Sequence, residues 1–192
     1  MAEIGLRERS KARRWAAIIR AAYELFAERG YDATTVADIA EAAEVAPRTV
    51  AMYFPAKQDI ALSRFSDGVA DLSTALRERR PGETLHEVFG RWLLTSQSDP
   101  QDREMYRLAR RMFAANPDLG ALRTARMTAA IREGAAMIDS ETGRPPGTIV
   151  SRIAAAAAAA VAMEIVDTEP GAEREEAVAA AMRFLEQGTA AL

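Results

Sequence analysis

The stretch that most constrains this chain is residues 31–60, YDATTVADIAEAAEVAPRTVAMYFPAKQDI. Its apolar residues recur at helical spacing in two short segments separated by three residues. The spacing predicts one helix from Thr35 to about Ala43, a turn at Glu44-Val45-Ala46, and a second helix from Pro47 to near Tyr53. Thr35-x-x-Asp38 has the form of a capping box, with Asp in place of the usual Glu or Gln. Val36, Ile39, Ala40 and Ala43 share one face, which suits packing under the long helix that precedes them. Pro47 fits the first position of a helix, where its missing N–H leaves nothing unpaired. Arg48, Thr49 and Met52 then point outward, while Val45 and Val50 point inward. Two short helices meeting steeply, the second free to lie in a DNA major groove, form the helix-turn-helix arrangement. An ordinary corner between two helices has the same spacing.

The rest of the chain shows no strand-like alternation of useful length. A first helix is expected over about 10–28, where Trp15, Ile18, Ile19, Ala22, Leu25 and Phe26 form an apolar stripe. Gly30 stands at its expected end. A helix over about 57–79 follows the short pair and stops at Pro81-Gly82. Further helices are expected over about 83–97, 101–115, 119–140, 148–167 and 173–187, each break carrying Pro or Gly. The predicted fold is therefore all-α with about nine helices. Residues 1–56 make an N-terminal three-helix domain with the helix-turn-helix, and residues 57–192 make a C-terminal helical domain. The helix that begins at Lys57 joins them, so no flexible linker is expected.

Composition narrows the function classes. Net charge is −3, yet residues 1–20 carry Arg7, Arg9, Lys11, Arg13, Arg14 and Arg20 against Glu3 and Glu8, a local net of +4. Basic charge thus gathers in an arm and first helix, where phosphates would be met and an arm would reach the minor groove. The same run also suits a solvated, frayed terminus. Cysteine is absent and His86 is the single histidine, which argues against a thiolate or histidine metal site and against a Ser-His-Asp relay. No Gly-rich phosphate loop occurs. An enzyme is not expected, nor a cofactor. No leader is expected, and the longest apolar run, 153–163, is 11 residues, mostly alanine, too short to span a bilayer. No membrane partner is expected, and the cytoplasm is the expected compartment.

Residues 10–62 resemble the DNA-binding domain of the TetR family of bacterial one-component repressors. The shared pattern is Gly30-Tyr31, Thr34-Thr35-Val36, Ile39-Ala40, Val45-Ala46, Tyr53-Phe54 and Pro55-Ala56-Lys57. Two positions depart from it: Ala46 stands where a capping Ser is usual, and Ala51 where an aromatic is common in the recognition helix. The resemblance implies a double-stranded DNA operator, a homodimer and a small-molecule effector, with repression relieved by the ligand. DNA-binding candidates are Arg14, Thr35, Pro47, Arg48, Thr49, Met52, Tyr53 and Lys57.

The C-terminal half reads as a sensor. Phe65, Phe89, Trp92, Met105, Met112, Met127, Ile131 and Met163, with Tyr106 and Phe113, supply an adaptable apolar lining for a hydrophobic or aromatic effector. The same residues at helical spacing also serve as ordinary core. Residues 148–167 and 173–187 are apolar enough to need a partner. By the resemblance they form a four-helix dimer interface with their symmetry mates, at Ile153, Ala157, Val161, Met182 and Leu185. The competing reading is a helical ligand-binding scaffold whose motif, altered at Ala46 and Ala51, no longer reads DNA.

Overall fold

The computed structural model describes residues 5–190, and of these all side chains except those at 6, 7, 101, 189 and 190. The first four residues of the basic arm and the Arg7 side chain lie outside that description. The described residues form ten helices and no strand: α1 Leu6–Arg29, α2 Val36–Ala42, α3 Pro47–Tyr53, α4 Lys57–Ala61, α5 Ser63–Arg77, α6 Leu85–Thr95, α7 Pro100–Ala115, α8 Leu119–Thr142, α9 Ile149–Val166 and α10 Ala172–Ala190.

The single helix expected over 57–79 is two. The interruption at Leu62 has a local cause. The Ser63 hydroxyl donates to the Ile60 carbonyl (2.8 Å), and the Arg64 amide donates to the Tyr23 hydroxyl (3.2 Å) instead of completing a helical ladder. Tyr23 and Ser63 are both buried and lie 3.0 Å apart through their hydroxyls. A long-range partner on α1 thus replaces the missing ladder bond, and nothing within 57–79 signals it.

The chain divides into two compact units. Unit 1 comprises residues 1–65 and 104–122, and unit 2 comprises 66–103 and 123–192. The sequence boundary at 56/57 differs from this division. Residues 57–65, most of α7 and the start of α8 belong with the helix-turn-helix, because they fill its core. Ile18, Ile19, Ala22, Tyr23 and Phe26 of α1 pack there with Ile39, Val50, Phe54, Ile60, Met105, Leu108, Met112 and Leu119. Each fully buried large side chain contributes about 1.5–3 kcal/mol, and α1 to α4 alone would leave part of that surface wet. The chain passes between units three times, each time inside a helix (α5, α7 and α8).

In unit 2, Phe89, Leu93, Ala162, Ile165, Val178 and Leu185 form the core of α6, α9 and α10. Gly90 permits a close approach of α6 to α10, since a Cβ there would stand 3.3 Å from the Met182 methyl. Arg174 is buried. Its guanidinium donates to the Leu93 carbonyl and the Ser96 hydroxyl (both 2.8 Å) at the end of α6, and to the Thr168 carbonyl (3.3 Å) just past α9. A cation at two helix C-termini is favourably placed against both dipoles. Asp139 makes the complementary arrangement at the start of α9. Its carboxylate accepts from the Gly147 amide (2.7 Å) and the hydroxyl of Thr148 (2.8 Å), the N-cap residue.

Helix α9 extends beyond the 11-residue apolar run and is, among the described residues, the one helix long and apolar enough to cross a membrane by length and composition. Part of its apolar surface packs within unit 2, through Ala154, Ala155, Ala162 and Ile165, all buried.

Candidate DNA-binding site

Helix α2 starts as its residues dictate. The Thr35 hydroxyl accepts from the Asp38 amide (3.1 Å), and the Asp38 carboxylate accepts from the Thr35 amide (2.8 Å) and hydroxyl (2.7 Å). These bonds, the Thr35 amide first, hold the Asp38 carboxyl below the usual aspartate range. The helix ends in a Schellman motif. The Val45 amide donates to the Ala40 carbonyl (2.9 Å), the Glu44 amide donates to that of Glu41 (3.0 Å), and Glu44 between them is left-handed at φ 54°. This reversal sets the angle at which α3 leaves.

Helix α3 runs Pro47–Tyr53 with Pro at its start and no side-chain cap from Ala46, as the loss of the usual Ser implies. Val50 is buried beneath it. Pro47, Arg48, Ala51 and Met52 are exposed, and Met52 is 71% accessible. Thr49 was expected to face outward; it is half-buried. Tyr53 is half-buried, and its hydroxyl lies 3.4 Å from Nε of exposed Arg14 on α1. Phe54 stacks on Trp15 with ring centroids 6.3 Å apart, fixing the C-terminal end of α3 to α1. Arg14, Arg48, Met52 and Tyr53 are therefore available to a ligand, and Lys11 and Arg13 extend the basic exposed surface of α1.

Two candidates serve the frame. Lys57 is half-buried, and its ammonium donates to the carbonyls of Tyr31 (2.7 Å) and Thr34 (2.9 Å) while lying 4.2 Å from the centre of the Tyr31 ring. With two of its three donors so engaged, it braces the loop before α2. Burial, then the carboxylates of Asp32 and Asp59, raise the Tyr31 phenol above its ordinary value. Thr35 is committed to its cap.

Sequence reasoning missed Asn116 and Thr34. The Asn116 amide group donates to the carbonyls of Phe26 and Met112 (both 2.8 Å) and accepts from the Tyr31 amide (2.6 Å). It thereby ties the end of α7 to the end of α1 and to the loop entering α2. Buried Thr34 donates to the Gly30 carbonyl (2.8 Å). In the sequence Asn116-Pro117 signals only a helix stop. No local cue places it against residues 85 positions earlier.

The expected effector residues do not form one set. Met105 and Met112 are core residues of unit 1, packed with α1. Phe65 is half-buried and also belongs to unit 1. Within unit 2, Phe89 stacks on Trp92 at 6.3 Å, Met127 is buried, and Ile131 and Met163 are half-buried. An open cleft of about 570 Å³ in unit 2 has charged walls (Arg77, Arg79, Arg80, Glu83 and Glu141) and none of these residues.

The dimer candidates also separate. Leu185 is buried in its own chain, and Met182, Ala157 and Val161 pack against the same core. Ile153 is 56% accessible, and Ile149 and Phe184 on the same two helices are exposed as well. The helical period alone did not tell which of several apolar stripes the chain covers itself.

Residues 18–63 match the family model described as bacterial regulatory proteins, tetR family. The likeness to the TetR family is thus shown for this N-terminal region, which holds the helix-turn-helix. The HTH-type transcriptional regulator TcmR of Streptomyces glaucescens is 44% identical over 79 residues, which is 41% of this chain and 35% of that protein. The chain thus matches about a third of the length of this curated relative. Among solved structures, Salmonella enterica GusR superposes with a TM-score of 0.64 at 18% identity, covering 98% of this chain and 100% of that one. NalD, the secondary repressor of the MexAB-OprM multidrug efflux pump in Pseudomonas aeruginosa, gives 0.59 at 20% identity over 92% and 96%. At these identities the structures establish the fold, an N-terminal helix-turn-helix domain followed by a helical domain.

Proposed function

We propose that this protein is a homodimeric transcription regulator of the TetR family that binds a palindromic operator and leaves it when a small hydrophobic or aromatic effector binds unit 2. The observation that carries the reading is α3, which is anchored by Val50 and Phe54 and exposes Arg48 and Met52 beside the basic surface of α1. A short helix held rigidly with a cation and an apolar tip outward suits a major groove. TcmR, a transcriptional regulator, and NalD, a repressor, support the same reading. A soluble regulator of this kind works in the cytoplasm and needs no catalytic group or cofactor.

Dimerisation is supported by Ile149, Ile153 and Phe184, large apolar side chains left in water on α9 and α10. A two-fold pair of recognition helices then meets half-sites one or more DNA turns apart. The effector acts by differential affinity for DNA-competent and DNA-incompetent states. The route we assign runs along α7, whose first residues belong to unit 2 and whose remainder, ending at the Asn116 clasp, belongs to unit 1. In unit 2, Phe89, Trp92, Met127, Ile131 and Met163 remain the candidate effector lining.

The test is binding of the purified protein to DNA from the region upstream of its own gene, with salt varied. The expected result is tight binding of two chains per site, with log affinity falling against log salt by about 0.9 per phosphate neutralised. Arg48→Ala abolishes the preference for that DNA, and Phe184→Glu yields a monomer that binds weakly. Binding no tighter than to random DNA, in this region and in a genome-wide selection, would favour the scaffold reading.

A further inference from the structure

Of the large apolar side chains left exposed among the described residues, Met52 alone lies in unit 1; Leu94, Ile149, Ile153 and Phe184 are in unit 2. It is also the most exposed of them, at 71%, and it stands in the last turn of α3, one residue before its end at Tyr53. A thioether side chain offers a phosphate no hydrogen-bond donor. What it offers is apolar surface. The apolar feature of a major groove is the 5-methyl group of thymine. Four residues earlier, and so on the same face one helical turn away, stands exposed Arg48, whose forked donors match the O6 and N7 acceptors of guanine. Exposed Ala51 lies beside them and carries no bulk to hold the helix off the bases.

We infer that α3 reads a guanine through Arg48 and the methyl group of a thymine through Met52, within one or two base pairs of each other. This deepens the operator-binding reading above and rests on it. The spacing follows from geometry: one helical turn rises 5.4 Å, and stacked base pairs rise about 3.4 Å. A helix lying along the groove therefore sets the two side chains about one and a half base-pair steps apart.

The experiment starts with selection of bound sequences from a random synthetic duplex library by the full-length protein. Such DNA contains no methylated cytosine, so a 5-methyl requirement reads as thymine. The expected half-site contains guanine and thymine within two base pairs. That thymine is then replaced by deoxyuridine, which removes the methyl group and nothing else. Wild-type affinity should fall about fourfold per half-site, the worth of one buried methyl. Met52→Ala, a change on the surface, should bind the thymine site more weakly and respond to deoxyuridine by less than about 1.5-fold, because the contact with the methyl group is gone. Met52→Gln should shift the preference toward adenine, whose N6 and N7 suit an amide. A half-site without that pair, wild-type indifference to deoxyuridine, or full discrimination retained by Met52→Ala would each overturn the inference while leaving operator binding intact. Failure to enrich any sequence would instead overturn the operator-binding reading itself.

Discussion

Replacing Asn116 by Ala removes three hydrogen bonds at once, of 2.6, 2.8 and 2.8 Å, from the junction of α1, α7 and the loop before α2. The loss is uneven. The Phe26 carbonyl keeps the Gly30 amide at 3.1 Å, so it is not stranded. The Tyr31 amide loses the side-chain acceptor that holds it. At about 1 kcal/mol per bond, reduced because the site is only half-buried, the expected destabilisation of unit 1 is about 2–3 kcal/mol. Asn116→Asp is the informative control. A carboxylate still accepts from Tyr31, yet it cannot donate to the carbonyls of Phe26 and Met112 and sets a charge against both. It should be no better than Ala. The assay is urea unfolding at fixed protein concentration. The chain has two tryptophans, Trp15 in unit 1 and Trp92 in unit 2, so a Trp92→Phe background lets Trp15 report unit 1 alone. Hydrogen exchange at the Tyr31 amide is read in parallel. A shift in stability below about 0.5 kcal/mol, half the worth of one such bond, with Tyr31 exchange unchanged, would refute the clasp. An Asp variant as stable as wild type would show that only the acceptor mattered.

Two further perturbations follow from the geometry. Glu44 occupies the left-handed position of the turn at φ 54°, so Glu44→Gly should stabilise unit 1 by about 1 kcal/mol and Glu44→Val should destabilise it by a similar amount, read as opposite shifts in the Trp15 unfolding midpoint. Asp139 is held below the usual aspartate range, first by the Ser151 hydroxyl and then by that of Thr148. A depressed folded-state value means that its contribution is complete above the unfolded aspartate range, near pH 4, and is lost as pH falls through the lower folded value. Asp139→Asn should therefore lower the stability of unit 2 at neutral pH, and its difference from wild type should shrink on acidification below about pH 4. A difference constant from pH 7 to pH 3 would show that the carboxylate charge contributes nothing.

Local chemistry determined the helix-turn-helix. Thr35 and Asp38 cap α2 whatever lies beyond them, Pro47 begins α3, and the apolar period of α1 marks the residues that become core. Such features act within one or two turns and are legible in a single sequence. The interruption at Leu62 was not, because it depends on Tyr23, about forty positions away. Nor was the makeup of unit 1, since Met105 and Met112 have the same helical spacing whether they line a ligand site or complete the core beneath α1. Lys57 is a motif residue in the sequence, and only the fold presents it with the carbonyls of Tyr31 and Thr34. On α9 and α10 the periodic pattern marked apolar stripes without ranking them. Packing buried Leu185 and left Ile153 and Phe184 in water. Periodicity states that a face must be covered; which element covers it depends on long-range contacts that no short window of sequence contains.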